Sequence, residues 1–135
     1  MAVIEQRTPT PDEFRAIAES IGWGEHFDWP TMAASLDASL FAVVAVHEGR
    51  AVGTARVVGD GVRYFYVQDV MVHPDHDGGG LATDMTEALL AWIDSTAAPK
   101  AMVGLFASPE AVGVYDDLGF TTDDMTGMHR AARST

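Results

Sequence analysis

The chain has 135 residues, 47% hydrophobic and 21% charged, which suits one globular domain, 1–135, and excludes a disordered or fibrous chain. Twenty acidic against eight basic residues give a net charge of −12, which argues against nucleic acid or an anionic membrane as partner and by itself names no other. There is no cysteine for disulfide or thiol chemistry, no signal-like N-terminus and no apolar run long enough to span a bilayer, so the cytoplasm is the expected location.

Ala2 to Glu5 reads as a short strand, and "TPTPDEF" as a helix start in which Thr10 caps, Pro11 takes the first helical position and Glu13 completes a capping box. Phe14, Ile17, Ala18 and Ile21 then share one face of a helix over 11–20, which Gly22 can end. After the loop "GEHFDWP", a shorter helix over 30–37 turns Met32 and Leu36 inward. Leu40 to Val46 and Ala51 to Val58 read as strands joined in a hairpin at His47-Glu48-Gly49-Arg50. Beyond the turn Gly59-Asp60-Gly61, "VRYFYVQDVMVH" is expected to be a long strand buried on both faces. At Leu81 the period changes: Leu81, Met85, Leu89, Trp92 and Ile93 fall in helical register. Ala101 to Phe106 reads as a further strand. Ser108-Pro109-Glu110 is expected to cap a short helix stopping at Gly119, and strands near Phe120 and Met128 are expected to close the fold. The pattern is a mixed α+β fold: an antiparallel meander, a long helix, and a strand parallel to the last one, reached by a right-handed crossover.

Between the long strand and the long helix stands "HPDHDGGGLA", residues 73–82. A glycine-rich turn there points several backbone N–H groups at one place, and the helix N-terminus adds partial positive charge. The combination is an anion site suited to phosphate. It is neither a triphosphatase loop, since no Gly-Lys-Ser/Thr follows, nor a full dinucleotide fingerprint. Taken alone, the glycines fit a flexible surface turn equally well.

The longer stretch "DVMVHPDHDGGGLATDMTEALLAWI" resembles the coenzyme A signature of the GNAT N-acetyltransferase superfamily, and "GVYDDLGF", residues 113–120, resembles that family's Tyr-x-x-x-Gly-Phe segment. The order of elements from residue 1 to about 130 matches as well. The resemblance implies a mostly antiparallel sheet with a central, splayed parallel strand pair and about four helices around it. It implies acetyl-CoA as co-substrate, no metal, and transfer of acetyl to a primary amine by direct attack in a ternary complex, the acidic charge slightly favouring a small cationic acceptor over a protein. A homodimer is common among such proteins. A non-catalytic acyl-CoA sensor on the same fold, or an interaction module with a degenerate loop, are the alternatives.

The same resemblance implies that backbone amides of Gly78, Gly79, Gly80, Leu81, Ala82 and Thr83 hold the pyrophosphate, with Asp77 beside them. It also implies that backbone groups of Val70, Met71 and Val72 pair with the pantetheine arm, and that Tyr115 donates a proton to the thiolate. Two departures remove positive charge from the anion site: Asp77 occupies a position usually held by Gln or Arg, and Gly79 one that is often basic. In addition, Ala107 and Ser108 stand where many members carry Asn. From the residues themselves, Tyr115 can equally be a core aromatic with Val112 and Leu118. Asp69, in mid-strand among apolar residues, needs either a partner or a function as base or amine-binding acid; Gln68 beside it can orient substrate or face outward. His73, His76 and Asp77 make a poor metal set and a good turn. Trp23, His26, Phe27 and Trp29 read either as an aromatic wall at the acceptor or as staples for their loop.

Overall fold

A computed structural model describes residues 1–133; Ser134 and Thr135, the end of the expected domain, lie outside them. The elements run β1 (Val3–Glu5), α1 (Pro11–Ser20), α2 (Trp29–Asp37), β2 (Phe41–His47), β3 (Arg50–Gly59), β4 (Tyr64–Val72), α3 (Leu81–Thr96), β5 (Met102–Gly104) and α4 (Val112–Asp117). Residues 1–105 form one compact unit and those from Phe106 onward a second.

In the first unit the five strands lie in the order β1-β2-β3-β4-β5, antiparallel except for β4 and β5. This is the mixed α+β architecture expected. The parallel ladder is short, pairing Tyr64–Tyr66 with Met102–Gly104. It lies at one end of the strand order rather than in the middle, because no strand follows β5 among the described residues.

Local rules account for most of the elements. Thr10 Oγ1 accepts the Glu13 amide at 3.1 Å and Glu13 Oε1 accepts the Thr10 amide at 2.9 Å, so both orphan donors at the start of α1 are satisfied. On α3, Leu81, Met85, Leu89 and Ile93 are buried and cover β2, β3 and β4 together with Val43, Val57, Phe65 and Val67. A second cluster, Phe14, Ile17, Met32, Leu36 and Met71, joins α1 and α2 to the sheet.

Those two clusters contain the reason why β4 differs from expectation. Phe65 and Val67 belong to the α3 cluster, whereas Met71 belongs to the α1/α2 cluster, although all three residues are odd-numbered. A regular strand keeps residues two apart on one face. The register on β3 explains the switch: Arg56 pairs with Gln68 but Thr54 pairs with Met71, so β4 carries one extra residue. This is a β-bulge, and Asp69 within it has φ +54°. Burial on both faces belongs instead to β2 and β3, while β4 exposes Tyr64 and leaves Tyr66 and Gln68 half-buried.

The chain beyond α3 corrects three expectations. Ser108 makes no side-chain cap bond, and a 3₁₀ turn, Pro109–Ala111, precedes α4. β5 stops at Gly104 rather than reaching Phe106. No strand forms near Phe120 or Met128: residues 121–133 are exposed, and Asp124 adopts φ +68° where an extended run would need negative φ.

Candidate functional site

The glycine loop lies between a 3₁₀ turn, Pro74–His76, and α3. Gly78 and Gly80 have φ +83° and +80°, a region that side chains disfavour, so backbone conformation accounts for these two. Gly79 is different. Its φ is not in that region, and a Cβ added there would meet only the His76 carbonyl at 3.7 Å; added at Gly78 or Gly80 it would meet nothing within 4 Å. Packing within the protein therefore does not require glycine at 79. The space in front of this backbone is open, and the first N–H groups of α3 stand at its edge without intrahelical partners by the geometry of any helix start. Gly80 is the N-cap and supplies no side-chain cap, so no group of the protein competes for those amides there. An anion with several oxygens fits this cradle.

Of the other expected residues, Asp77 is exposed and sits after the 3₁₀ turn, four residues ahead of α3, not within the helix's first turn. Leu81 is buried in the core, and Ala82 and Thr83 are half-buried on the first turn. Val70, Met71 and Val72 form the end of β4. Beyond Tyr66 no strand pairs with β4 on its β5 side among the described residues, so the backbone edge from Val67 to Val72 is open on that side.

Asp69 has found a partner that sequence reading missed. Arg56 Nε donates to Asp69 Oδ2 at 2.9 Å, with side chains only 10% and 16% exposed. The remaining guanidinium donors reach α2 and the turn after it: Nη1 donates to the Ser35 carbonyl at 2.8 Å and to Ser39 Oγ, beyond the helix end, at 3.2 Å, and Nη2 donates to Ser35 Oγ at 3.1 Å. Arg56 thus ties the bulge of β4 to α2. Asp69 Oδ1 has no protein partner, and since no buried side-chain oxygen among the described residues lacks one, Oδ1 faces solvent. The sequence signal was an arginine inside an apolar strand, "VGTARVVG", as conspicuous as Asp69 itself.

Phe27 and Trp29 act as staples: their rings pack edge-on against Phe14 at 5.1 and 6.2 Å, and Trp29 Nε1 donates to the Gly24 carbonyl at 2.8 Å. Trp23 stays exposed. His73 and His76 flank the 3₁₀ turn, where His73 Nδ1 accepts the Asp75 amide at 3.1 Å. Among the described residues no three metal-ligating side chains converge.

In the second unit, Tyr115 is buried on α4, its ring 6.0 Å from Phe120 and edge-on to it. Burial pushes its phenol above the ordinary value, so at neutral pH it keeps its proton.

Comparison with known proteins agrees with this geometry. Residues 5–120 match the model of the acetyltransferase (GNAT) family. The chain is 41% identical over 75 residues to serotonin N-acetyltransferase 2, chloroplastic, of Oryza sativa subsp. japonica, covering 56% of this chain and 36% of that one. It is 30% identical over 115 residues to an uncharacterized ycf52-like N-acetyltransferase of Prochlorococcus marinus, covering 82% and 62%. The chain therefore spans about a third and about three fifths of the length of these relatives. A GNAT-family acetyltransferase structure from Streptococcus pneumoniae superposes with TM-score 0.83 at 26% identity, covering 99% of this chain and 100% of that one. A Staphylococcus aureus protein of unknown function, named a probable acetyltransferase, reaches TM-score 0.88 at 25% identity, covering 98% and 100%. With the open glycine cradle at the start of α3, the unpaired edge of β4 and a family match running from residue 5 to residue 120, the chain belongs to the GNAT acetyltransferase family.

Proposed function

We propose that this chain is one acetyltransferase domain, 1–135, acting in the cytoplasm without a metal, and that it moves acetyl from acetyl-CoA to the nitrogen of a small cationic primary amine by direct attack in a ternary complex. The observation that carries the reading is Gly79, a glycine that neither φ nor packing within the protein demands, in the middle of an anion cradle. A family match that crosses from the first compact unit into the second supports a single domain.

When bound, acetyl-CoA supplies an activated thioester; the chain's own groups do the rest. The amides of Gly78 to Thr83 hold phosphate oxygens, assisted by the positive end of α3. Asp77 stays exposed at the rim. The open edge of β4 at Val70, Met71 and Val72 lends backbone groups to the pantetheine arm in the manner of an added strand. Asp69, with Oδ2 fixed by Arg56, turns Oδ1 to the ammonium of the acceptor and receives its proton directly or through water. Tyr115, protonated at neutral pH, gives a proton to the departing sulfur.

Two measurements test this. Acetyl-CoA at millimolar concentration is expected to raise the melting temperature, because a ligand that binds only the folded state stabilises it by mass action. A panel of primary amines is expected to yield free thiol with at least one member. No melting shift together with no heat by calorimetry would remove the co-substrate, and binding without thiol release across the panel would turn the reading to a sensor.

A further inference from the structure

Just ahead of the glycine loop in the chain, a cavity of about 240 Å³ opens between the β2–β3 hairpin and the end of β4, and none of the residues lining it has a role in the mechanism above. Its polar lining is His47, Glu48, Arg50, His73, Asp75 and His76. In a chain of net charge −12, three of the five histidines meet here beside one arginine and two carboxylates, so imidazole is the commonest polar group of the pocket.

The hydrogen bonding within it is incomplete in a specific way. His73 Nδ1 accepts the Asp75 amide at 3.1 Å. A neutral imidazole that accepts at one nitrogen carries its proton on the other, so Nε2 of His73 is a donor. Only 3.4 Å from it stands Arg50 Nη2, which has no lone pair to offer. Two N–H groups therefore converge with no acceptor between them. The pocket carboxylates do not fill that role: Glu48 and Asp75 are 86% and 82% exposed, and their closest approaches to imidazole nitrogen, 3.9 Å to His47 Nε2 and 3.8 Å to His73 Nδ1, are beyond hydrogen-bond length. The His76 ring, 5.0 Å from that of His47 and 6.3 Å from that of His73, closes the group.

We propose that this cavity is a binding site for a phosphate monoester, whose oxygens supply the missing acceptor between Arg50 and His73 and meet His47 and His76 on the other side. Guanidinium and imidazole N–H donors gathered around one point are a chemistry for a tetrahedral oxyanion. The phosphate can arrive free or as the 3′-phosphate of the coenzyme, and these sources are separable. The site itself does not depend on the acetyl-transfer reading.

Inorganic phosphate is the first probe. Titrated into the whole chain at constant ionic strength, it is expected to shift the imidazole C2–H resonances of His47, His73 and His76 saturably, with chloride producing no such curve. Arg50→Gln, at an exposed strand end, is expected to keep the circular dichroism spectrum and weaken phosphate about tenfold, the loss of one charge-assisted hydrogen bond. His73→Gln is expected to act in the same direction. Absence of saturation in the parent, or phosphate affinity unchanged from the parent in both variants, would overturn the site. Acetyl-CoA and its 3′-dephospho form are then compared. A preference for the phosphorylated form that Arg50→Gln abolishes identifies the coenzyme as the source, whereas equal binding of both forms leaves phosphate from elsewhere. If neither coenzyme form binds while phosphate does, the acetyl-transfer reading falls and this site stands.

Discussion

At the scale of single residues, Gly79 offers the cleanest separation of fold from function. Its backbone conformation is open to other residues and the nearest atom to an added Cβ is an ordinary contact, so Gly79→Ala is expected to melt with the parent. The added methyl intrudes on the cradle, and acetyl-CoA affinity measured by calorimetry is expected to fall about tenfold, the equivalent of one charge-assisted hydrogen bond. Gly80→Val is the poorer test, since φ +80° penalises the side chain whatever binds. Tyr115→Phe deletes one hydroxyl and keeps the aromatic contact with Phe120. Single-turnover acetyl transfer is expected to slow on the order of 10²- to 10⁴-fold with coenzyme affinity unchanged, the usual contribution of a general acid. Rates equal to the parent's would leave Tyr115 as a core residue.

Between elements, the Arg56–Asp69 pair joins β3, β4 and α2. Arg56→Met strands a largely buried carboxylate and leaves the Ser35 carbonyl without its donor, which is expected to cost about 3 kcal/mol in urea unfolding. Pairing it with Asp69→Asn, which removes the charge and tolerates the φ of +54° at this position, is expected to recover part of that loss, and the cycle measures the coupling. At the other end of the unit, Arg7 clasps Glu13 with bonds of 2.7 and 2.9 Å while Glu13 also caps α1. The guanidinium, opposed by burial and aided by the Thr10 amide, lowers the Glu13 carboxyl from 4.5 to about 2. A carboxyl whose folded value lies below its unfolded one stabilises the fold fully above the unfolded value. That contribution is expected to persist above about pH 4.5 and to disappear as pH falls toward 2. Glu13→Gln is expected to flatten the slope of stability against pH in that window, as read from acid titration of the urea midpoint.

Across the whole molecule, twenty acidic residues against eight basic ones repel one another through solvent. Sodium chloride up to physiological strength is expected to raise the melting temperature, since screening over about 8–10 Å weakens that repulsion more than it weakens the few short ion pairs. A melting temperature that falls with salt would show that pairs such as Arg7–Glu13 and Arg56–Asp69 outweigh the net charge.

What the sequence by itself determined is whatever local rules govern. The capping box and apolar spacing set α1; the 3.6 period from Leu81 set α3; the three glycines marked the turn ahead of it; the hairpin at Glu48-Gly49 followed from its neighbours. Each depends on residues a few positions apart, where propensity and hydrogen bonding act without the rest of the chain. The tertiary structure alone decided three other things. The extra residue at Asp69 rotates the end of β4 from the α3 cluster to the α1/α2 cluster, and it is visible only as a mismatch with β3. Arg56 and Asp69, 13 residues apart, meet because that bulge and the β3–β4 register bring them together. Arg50 and His73, 23 residues apart, present two donors to one point because the hairpin folds over the end of β4. Strand pairing is non-local, so a one-residue shift in register moves every later side chain to the opposite face, and periodicity along one strand carries no record of it.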